Sequence, residues 1–313
     1  MKYTKMFSTS KSGINENYNR SGPARLADRT KNPVYEYTPE IELAINVALA
    51  TGRPLLVRGP SGSGKSSLAR SVAHRLKWRY YETVVTTRTK AQDLLWIFDN
   101  IRRLNDAQSK EPLKEAKHYI KPGILWWAFN RNSAGMFDKQ EPLSPQPNSE
   151  DTVILIDEID KAEPDVPNNL LIPIGSLEFY IDEIDQIISA SPEHPPLIFI
   201  TTNDERQLPM AFLRRCLLLK LNPPSPERLI KIAEQHFGKR DDSLYSMLAE
   251  QITQAVKNKE RPEANAAEYL DAVWACISLN VKPPNEGEEP SPTWLAIRES
   301  TLLKPASVQH IKI

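Results

Sequence analysis

Cysteine is scarce in this sequence: two in 313 residues, Cys216 and Cys276, in no metal-type spacing. That excludes a disulfide framework and a thiolate cluster for zinc, and both thiols are expected as small buried residues in a reducing compartment. No apolar run approaches the roughly 18 residues of a membrane span, and the first twenty residues lack the apolar centre of a secretory signal. The expected setting is therefore cytoplasmic, with no membrane partner. Excess charge of one sign is missing too. Lys+Arg and Asp+Glu both number 40, so no overall positive field draws the chain to nucleic acid, which is not expected as a partner. The five histidines form no H-E-x-x-H, and there is neither a G-x-S-x-G nor an N-K-x-D that would select guanine.

What is present is an ordinary globular composition, 40% hydrophobic and 26% charged, long enough for about two domains with a substantial core. One stretch organises the rest, residues 54–69, PLLVRGPSGSGKSSLA. Leu55, Leu56 and Val57 suit a buried strand, and residues 66–76 carry apolar side chains at helical spacing. Between them Gly59-Pro60-Ser61-Gly62-Ser63-Gly64-Lys65-Ser66 has the full G-x-x-x-x-G-K-[ST] spacing, with Ser67 next. The glycines let backbone N–H groups close around an anion, and the following helix turns its positive end to the same place. Lys65 can reach the β- and γ-phosphates, and Ser66 can offer its hydroxyl to Mg²⁺. A Gly/Ser-rich loop containing GKS by chance is the alternative; a strand and a helix in the required order weigh against it.

Residues 1–33 hold seven Lys/Arg against two acids and few apolar positions, and read as a mobile basic arm. Thr38-Pro39-Glu40 opens a helix, with Thr38 as N-cap and Pro39 at the first helical position. Residues 78–85 suit a second strand, and residues 91–103 a helix through Leu94, Leu95, Ile97, Phe98 and Ile101. Residues 138–150, with three prolines, read as an exposed loop. Two continuous apolar runs, 153–156 and 197–200, stop at Asp157-Glu158-Ile159-Asp160 and Thr201-Thr202-Asn203-Asp204. Strands apolar on both faces indicate a parallel sheet covered by helices, and polar residues at their carboxyl ends line the site in open α/β sheets. Arg214-Arg215 then precedes another apolar strand. The Pro-rich breaker at 222–226 marks a boundary at 222, after which 227–237, 241–256 and 261–279 have helical spacing and suggest a small helical domain over 223–282. The tail, 283–313, receives no assignment.

Hydrolysing a nucleoside triphosphate requires that the phosphates be held, Mg²⁺ anchored, a water activated and the developing charge neutralised. Residues 59–66 meet the first need. Asp157 suits the metal, and Glu158 can accept a proton from the attacking water or orient it. Their alternative is an ordinary acidic turn after a strand. Asp160 has no such claim and is expected in solvent. Asn203 can hydrogen-bond the water or γ-phosphate, or serve as a turn residue or helix cap. Arg214 and Arg215 carry the permanently charged group suited to a phosphate in flight, although one of them can instead cover a helix end or pair with an acid.

These motifs in order, Gly59 to Ser66, VILIDEIDKA, TTNDERQLP and AFLRRC, resemble an AAA+ ATPase of the P-loop NTPase superfamily, and specifically the MoxR-like branch. The segment YTPEIELAINVALATGRPLLVRGPSGSGKSSLA resembles that branch as well, and the resemblance covers residues 34–280. It implies an α/β fold of the AAA+ type, a parallel sheet flanked by helices over 34–222, with an insertion within about 94–130 and a helical lid over 223–282. By the same likeness Lys65 and Ser66 belong to Walker A, Asp157 and Glu158 to Walker B, and Asn203 to sensor 1. Arg215, with Arg214 as alternate, would be the arginine finger, and Arg261 sensor 2. ATP, Mg²⁺ and a homo-hexameric ring acting on a protein client are implied too. Two functions fit: a ring-forming remodelling motor or chaperone, and a slow-turnover nucleotide-dependent switch or scaffold in a regulatory or defence assembly. A DNA helicase or loader fits the balanced charge less well. A small-molecule kinase would leave the arginine pair and helical domain without a purpose.

Overall fold

The computed structural model describes residues 4–9, 34–108, 113–142, 148–240, 242–258, 265–285 and 287–302. Among these, nine strands are formed: β1 (Leu55–Arg58), β2 (Arg79–Val84), β3 (Trp96–Phe98), β4 (Ile120–Pro122), β5 (Thr152–Asp157), β6 (Glu178–Ile181), β7 (Gln186–Ser189), β8 (Leu197–Thr202) and β9 (Leu217–Lys220). Five make one sheet in the order β2-β5-β8-β1-β9, with β2/β5, β5/β8 and β8/β1 parallel. β5 and β8 are buried on both faces, as their unbroken apolar runs require of central parallel strands. Each fully buried Ile, Leu or Val contributes about 1.5–3 kcal/mol, so these two strands carry much of the sheet's stability. Register pairs Ile156 with Ile200 and Val57 with Thr201, which brings the carboxyl ends of β5, β8 and β1 to one edge.

The described residues fall into two compact units, one built on this sheet and a second comprising 34–37, 59–67 and the segment from Lys220 onward. In the first, helix Pro39–Thr51 begins where Thr38 accepts the Ile41 N–H at 3.4 Å and ends at Gly52, whose φ of +65° lets its N–H return to the Ala48 carbonyl. Part of the expected mobile arm is anchored to this helix. Asn46 accepts from the backbone N–H groups of Met6 (2.6 Å) and Phe7 (2.8 Å) and donates to the Phe7 carbonyl (2.9 Å), as a neighbouring strand would, while Phe7 is buried and Lys5 pairs with Glu42. The rest of the arm lies outside the described residues.

The helix expected over 91–103 is broken. Helix Ala91–Leu95 stops, β3 pairs antiparallel with β4, and helix Asn100–Gln108 follows with no buried residue. Gly123 packs against the helix end: its N–H donates to the Leu95 carbonyl at 2.8 Å, and a Cβ there would sit 2.4 Å from the Leu94 carbonyl oxygen. Trp126, Trp127 and Phe129 are buried core residues.

The second unit has its own apolar core, centred on Leu229, Leu248, Ile252, Tyr269 and Val273 from helices Pro226–Phe237, Leu244–Lys257 and Ala266–Ser278. A fourth helix, Pro292–Thr301, occupies the tail left without assignment, capped by Ser291 and anchored by buried Trp294. No helix among the described residues is long and apolar enough to cross a membrane.

Candidate functional site

The carboxyl edge of the sheet is cross-braced by side chains. β5 ends at Asp157, and the chain turns at Glu158, which adopts a left-handed φ of +60°. Such a conformation costs a non-glycine residue about 1–3 kcal/mol, so it persists only where neighbours hold it. Here the Glu158 N–H donates to Thr201 Oγ1 at 2.9 Å, and Lys161 Nζ donates to the Glu158 carboxylate at 2.7 Å. That bond raises the Lys161 pKa above the ordinary ammonium value. Thr201, wholly buried, donates its hydroxyl to Asp157 Oδ1. The exit of β8 is held from the other direction. Asp160, expected in solvent, is 2% exposed, and its Oδ2 accepts the N–H groups of Asn203 (3.1 Å) and Glu205 (2.9 Å). Those two amide donors replace the water that a buried carboxylate gives up.

Asn203 is half-buried, and its side-chain amide makes no hydrogen bond among the described residues. The following residue, Asp204, pairs with Arg58 at 2.9 Å. Arg58 closes β1 and is bonded directly to Gly59. The sheet therefore gathers Asp157, Glu158 and Asn203 at the edge from which the phosphate-type loop departs.

Within the second unit that loop is folded as its glycines permit. Gly62 and Gly64 have φ of +74° and +87°. Lys65, 6% exposed, donates its ammonium to the carbonyls of Gly59 (2.8 Å) and Pro60 (2.7 Å). The Ser63 hydroxyl is buried without a hydrogen-bond partner among the described residues. Lys65 and Ser66 open the helix Lys65–Leu76. A buried ammonium, an unpaired buried hydroxyl and a helix start in one short loop fit a polyphosphate chemically. Magnesium commonly takes one or two carboxylates together with phosphate oxygens, and the donor types of Ser66 and Asp157 fit that demand.

Two residues beside the loop escaped the sequence reading. Asn265 caps helix Ala266–Ser278, accepting from the Ala267 N–H at 2.9 Å, and lies so close to Gly62 that a Cβ there would fall 2.0 Å from its Oδ1. Asn265 followed by Glu268 is an N-cap signal, yet nothing in it announces the contact with the loop. The Tyr35 ring sits 3.2 Å from where a Gly64 Cβ would stand, and burial raises its phenol pKa to about 12, an effect that neighbouring Arg228 partly offsets.

Arg214 and Arg215 end the helix Met210–Arg215 and are exposed. Arg53 donates to the carbonyls of Arg214 (2.5 Å), Arg215 (3.2 Å) and Cys216 (3.2 Å), satisfying the helix terminus, and Arg215 Nη1 donates to the Leu171 carbonyl at 2.7 Å. All three arginines line a cavity of about 690 Å³ whose walls include none of Asp157, Glu158 and Asn203. The arginine pair thus stands apart from the strand-end cluster. Arg261 lies outside the described residues. Both cysteines are buried, which pushes the Cys216 thiol up to about 12 and that of Cys276 up to about 11.

The family model described as AAA domain (dynein-related subfamily) matches residues 54–216, just over half of the chain. The aerobic cobaltochelatase subunit CobS of a Sinorhizobium species is 32% identical over 114 residues, which cover 36% of this chain and 32% of that protein. The chain thus spans about a third of the length of that relative. Among solved structures, a mutant of Thermotoga maritima RuvB superposes with a TM-score of 0.46 at 17% identity, covering 83% of this chain and 68% of that one. The RuvB Holliday junction branch migration motor of the same organism gives 0.43 at 16% identity, covering 83% and 67%.

Proposed function

This chain belongs to the dynein-related subfamily of AAA domains, and from that membership we propose that it binds ATP with Mg²⁺ and hydrolyses it. The finer assignment, a ring-forming MoxR-like remodelling motor or chaperone acting on a protein client, is part of the same proposal. It is supported most by the gathering of Asp157, Glu158 and Asn203 at the strand edge that leads into the Gly59–Ser66 loop.

In this reading the loop amides and Lys65 hold the β- and γ-phosphates, the Lys65 ammonium exchanging its bonds to the Gly59 and Pro60 carbonyls for phosphate oxygens. Ser66 and Asp157 hold Mg²⁺, which when bound neutralises phosphate charge. Glu158 orients the attacking water and takes its proton, and the unengaged amide of Asn203 donates to the γ-phosphate or that water. Arg215 is offered to the nucleotide of an adjacent copy. Glu158→Gln keeps shape and hydrogen bonding but removes the base, and it should leave ATP binding intact while lowering kcat by about 10²-fold or more. A variant that still turns over at the wild-type rate removes the mechanism.

The ion pair between Lys161 and Glu158 favours a second reading, a slow-turnover nucleotide-dependent switch, because the base is already engaged by a neighbour. Client-stimulated hydrolysis supports the motor, whereas nucleotide-dependent partner binding without stimulation supports the switch.

A further inference from the structure

Asp160 has no role in the chemistry above, yet it is more buried than the other carboxylates among the described residues, and its Oδ1 has no hydrogen-bond partner among those residues. A short acidic turn after a strand has no need to bury a charge. What this burial achieves is visible in its contacts. One oxygen, Oδ2, receives the N–H of Asn203 and the N–H of Glu205, so the backbone is gripped on both sides of Asp204 and the peptide entering Asn203 is fixed. Asp160 itself is two residues beyond Glu158, in the 3₁₀ turn Ile159–Lys161. The Thr201 hydroxyl makes the reverse connection, reaching from β8 to the Glu158 N–H and to Asp157.

We propose that Asp160 is a positioning residue for hydrolysis, locking the segment that carries Asn203 to the turn that carries Glu158 so that water activation and γ-phosphate sensing share one frame. The proposal rests on the reading of Glu158 and Asn203 given above. The bonds make the connection tight: moving Asn203 outward strips N–H donors from a carboxylate that is 2% exposed. A carboxylate oxygen accepts two N–H groups at once, and each such bond is stronger than one to a neutral acceptor.

The test compares Asp160→Ala and Asp160→Asn with the wild-type full chain by three measurements: affinity for a fluorescent ATP analogue, steady-state kcat and KM, and amide hydrogen exchange of the peptide covering residues 201–206. Asp160→Ala should bind nucleotide within about threefold of wild type, lose about tenfold or more in kcat, and exchange faster over 201–206. Asp160→Asn retains one acceptor oxygen and should recover most of the kcat and the protection. Wild-type turnover in folded Asp160→Ala overturns the proposal, as does a parallel loss of binding, turnover and thermal stability in both variants, which marks a merely structural residue. If the wild-type chain hydrolyses no ATP, the functional reading falls by itself. The exchange measurement still decides the coupling, and unchanged exchange over 201–206 in Asp160→Ala refutes it.

Discussion

Gly62 shows how much one hydrogen atom can determine. Its φ of +74° already penalises any L side chain, and the space where a Cβ would stand is taken by the amide of Asn265, 2.0 Å away. Gly62→Ala should therefore cost about 1–3 kcal/mol through the backbone alone and weaken ATP binding about tenfold or more as the loop shifts to escape the clash. Adding Asn265→Gly removes the clash but leaves the φ penalty, so binding by the double variant should recover in part. Equal affinities for the single and double variants would show that the contact is not felt. The strand, glycine turns and helix that frame the loop were legible, because each is a local pattern. The neighbours Asn265 and Tyr35 were not, since each is brought to the loop by folding over long sequence separations. Asp160 is the same lesson in a single side chain: DEID reads as a solvated turn until the amides of Asn203 and Glu205, 43 and 45 residues away, are seen to surround it.

Elements were legible where a single physical cause dominates. Residues 153–156 and 197–200 are apolar throughout and become the buried strands β5 and β8. The pentapeptide Ile-Asp-Glu-Ile-Asp occurs twice, at 156–160 and 181–185, and only the element before it separates the copies. The first follows a central parallel strand; the second makes the turn of the β6/β7 hairpin. The hairpin itself and the break at Leu95 went unread, because a two-stranded ribbon of three or four residues per strand leaves too short a period-2 signal. At the opposite end of the sheet, the segment preceding β5 is joined to the segment preceding β8 by Asp151 and His194, 2.8 Å apart. The hydrogen bond to Asp151 raises the His194 pKa above its ordinary 6.5, the slight desolvation opposing it. A folded-state pKa above the unfolded one means that the bond stabilises the protein fully below about pH 6.5 and that this contribution is lost as pH rises through the folded value. His194→Gln should accordingly melt below wild type near pH 6 and together with it near pH 8.5. A difference that is independent of pH would show that the charged form is not what the contact holds.

At the scale of the whole molecule, the order of motifs along the chain was enough to expect a helix-flanked parallel sheet, and the strand order β2-β5-β8-β1-β9 realises it. The proposed assembly of copies turns on Arg215. It is exposed, it lines a cavity that excludes the chain's own Asp157, Glu158 and Asn203, and among the described residues one of its donors is committed, to the Leu171 carbonyl. A guanidinium carries five N–H donors, so in the proposed assembly the others would be open to a phosphate brought by a neighbour. If Arg215 acts in trans, Arg215→Ala alone should lower kcat by about a hundredfold or more, with Arg214→Ala milder. A mixture of Arg215→Ala and Glu158→Gln copies should then regain activity, because a site on an Arg215→Ala copy keeps Glu158 and receives Arg215 from a Glu158→Gln neighbour. Random equal mixing in a closed ring makes about one site in four competent in this way, so recovery should approach a quarter of the wild-type rate. Native mass spectrometry establishes that mixed assemblies have formed, and a flat rate across all mixing ratios in such assemblies would place the arginine in cis or remove it from the reaction.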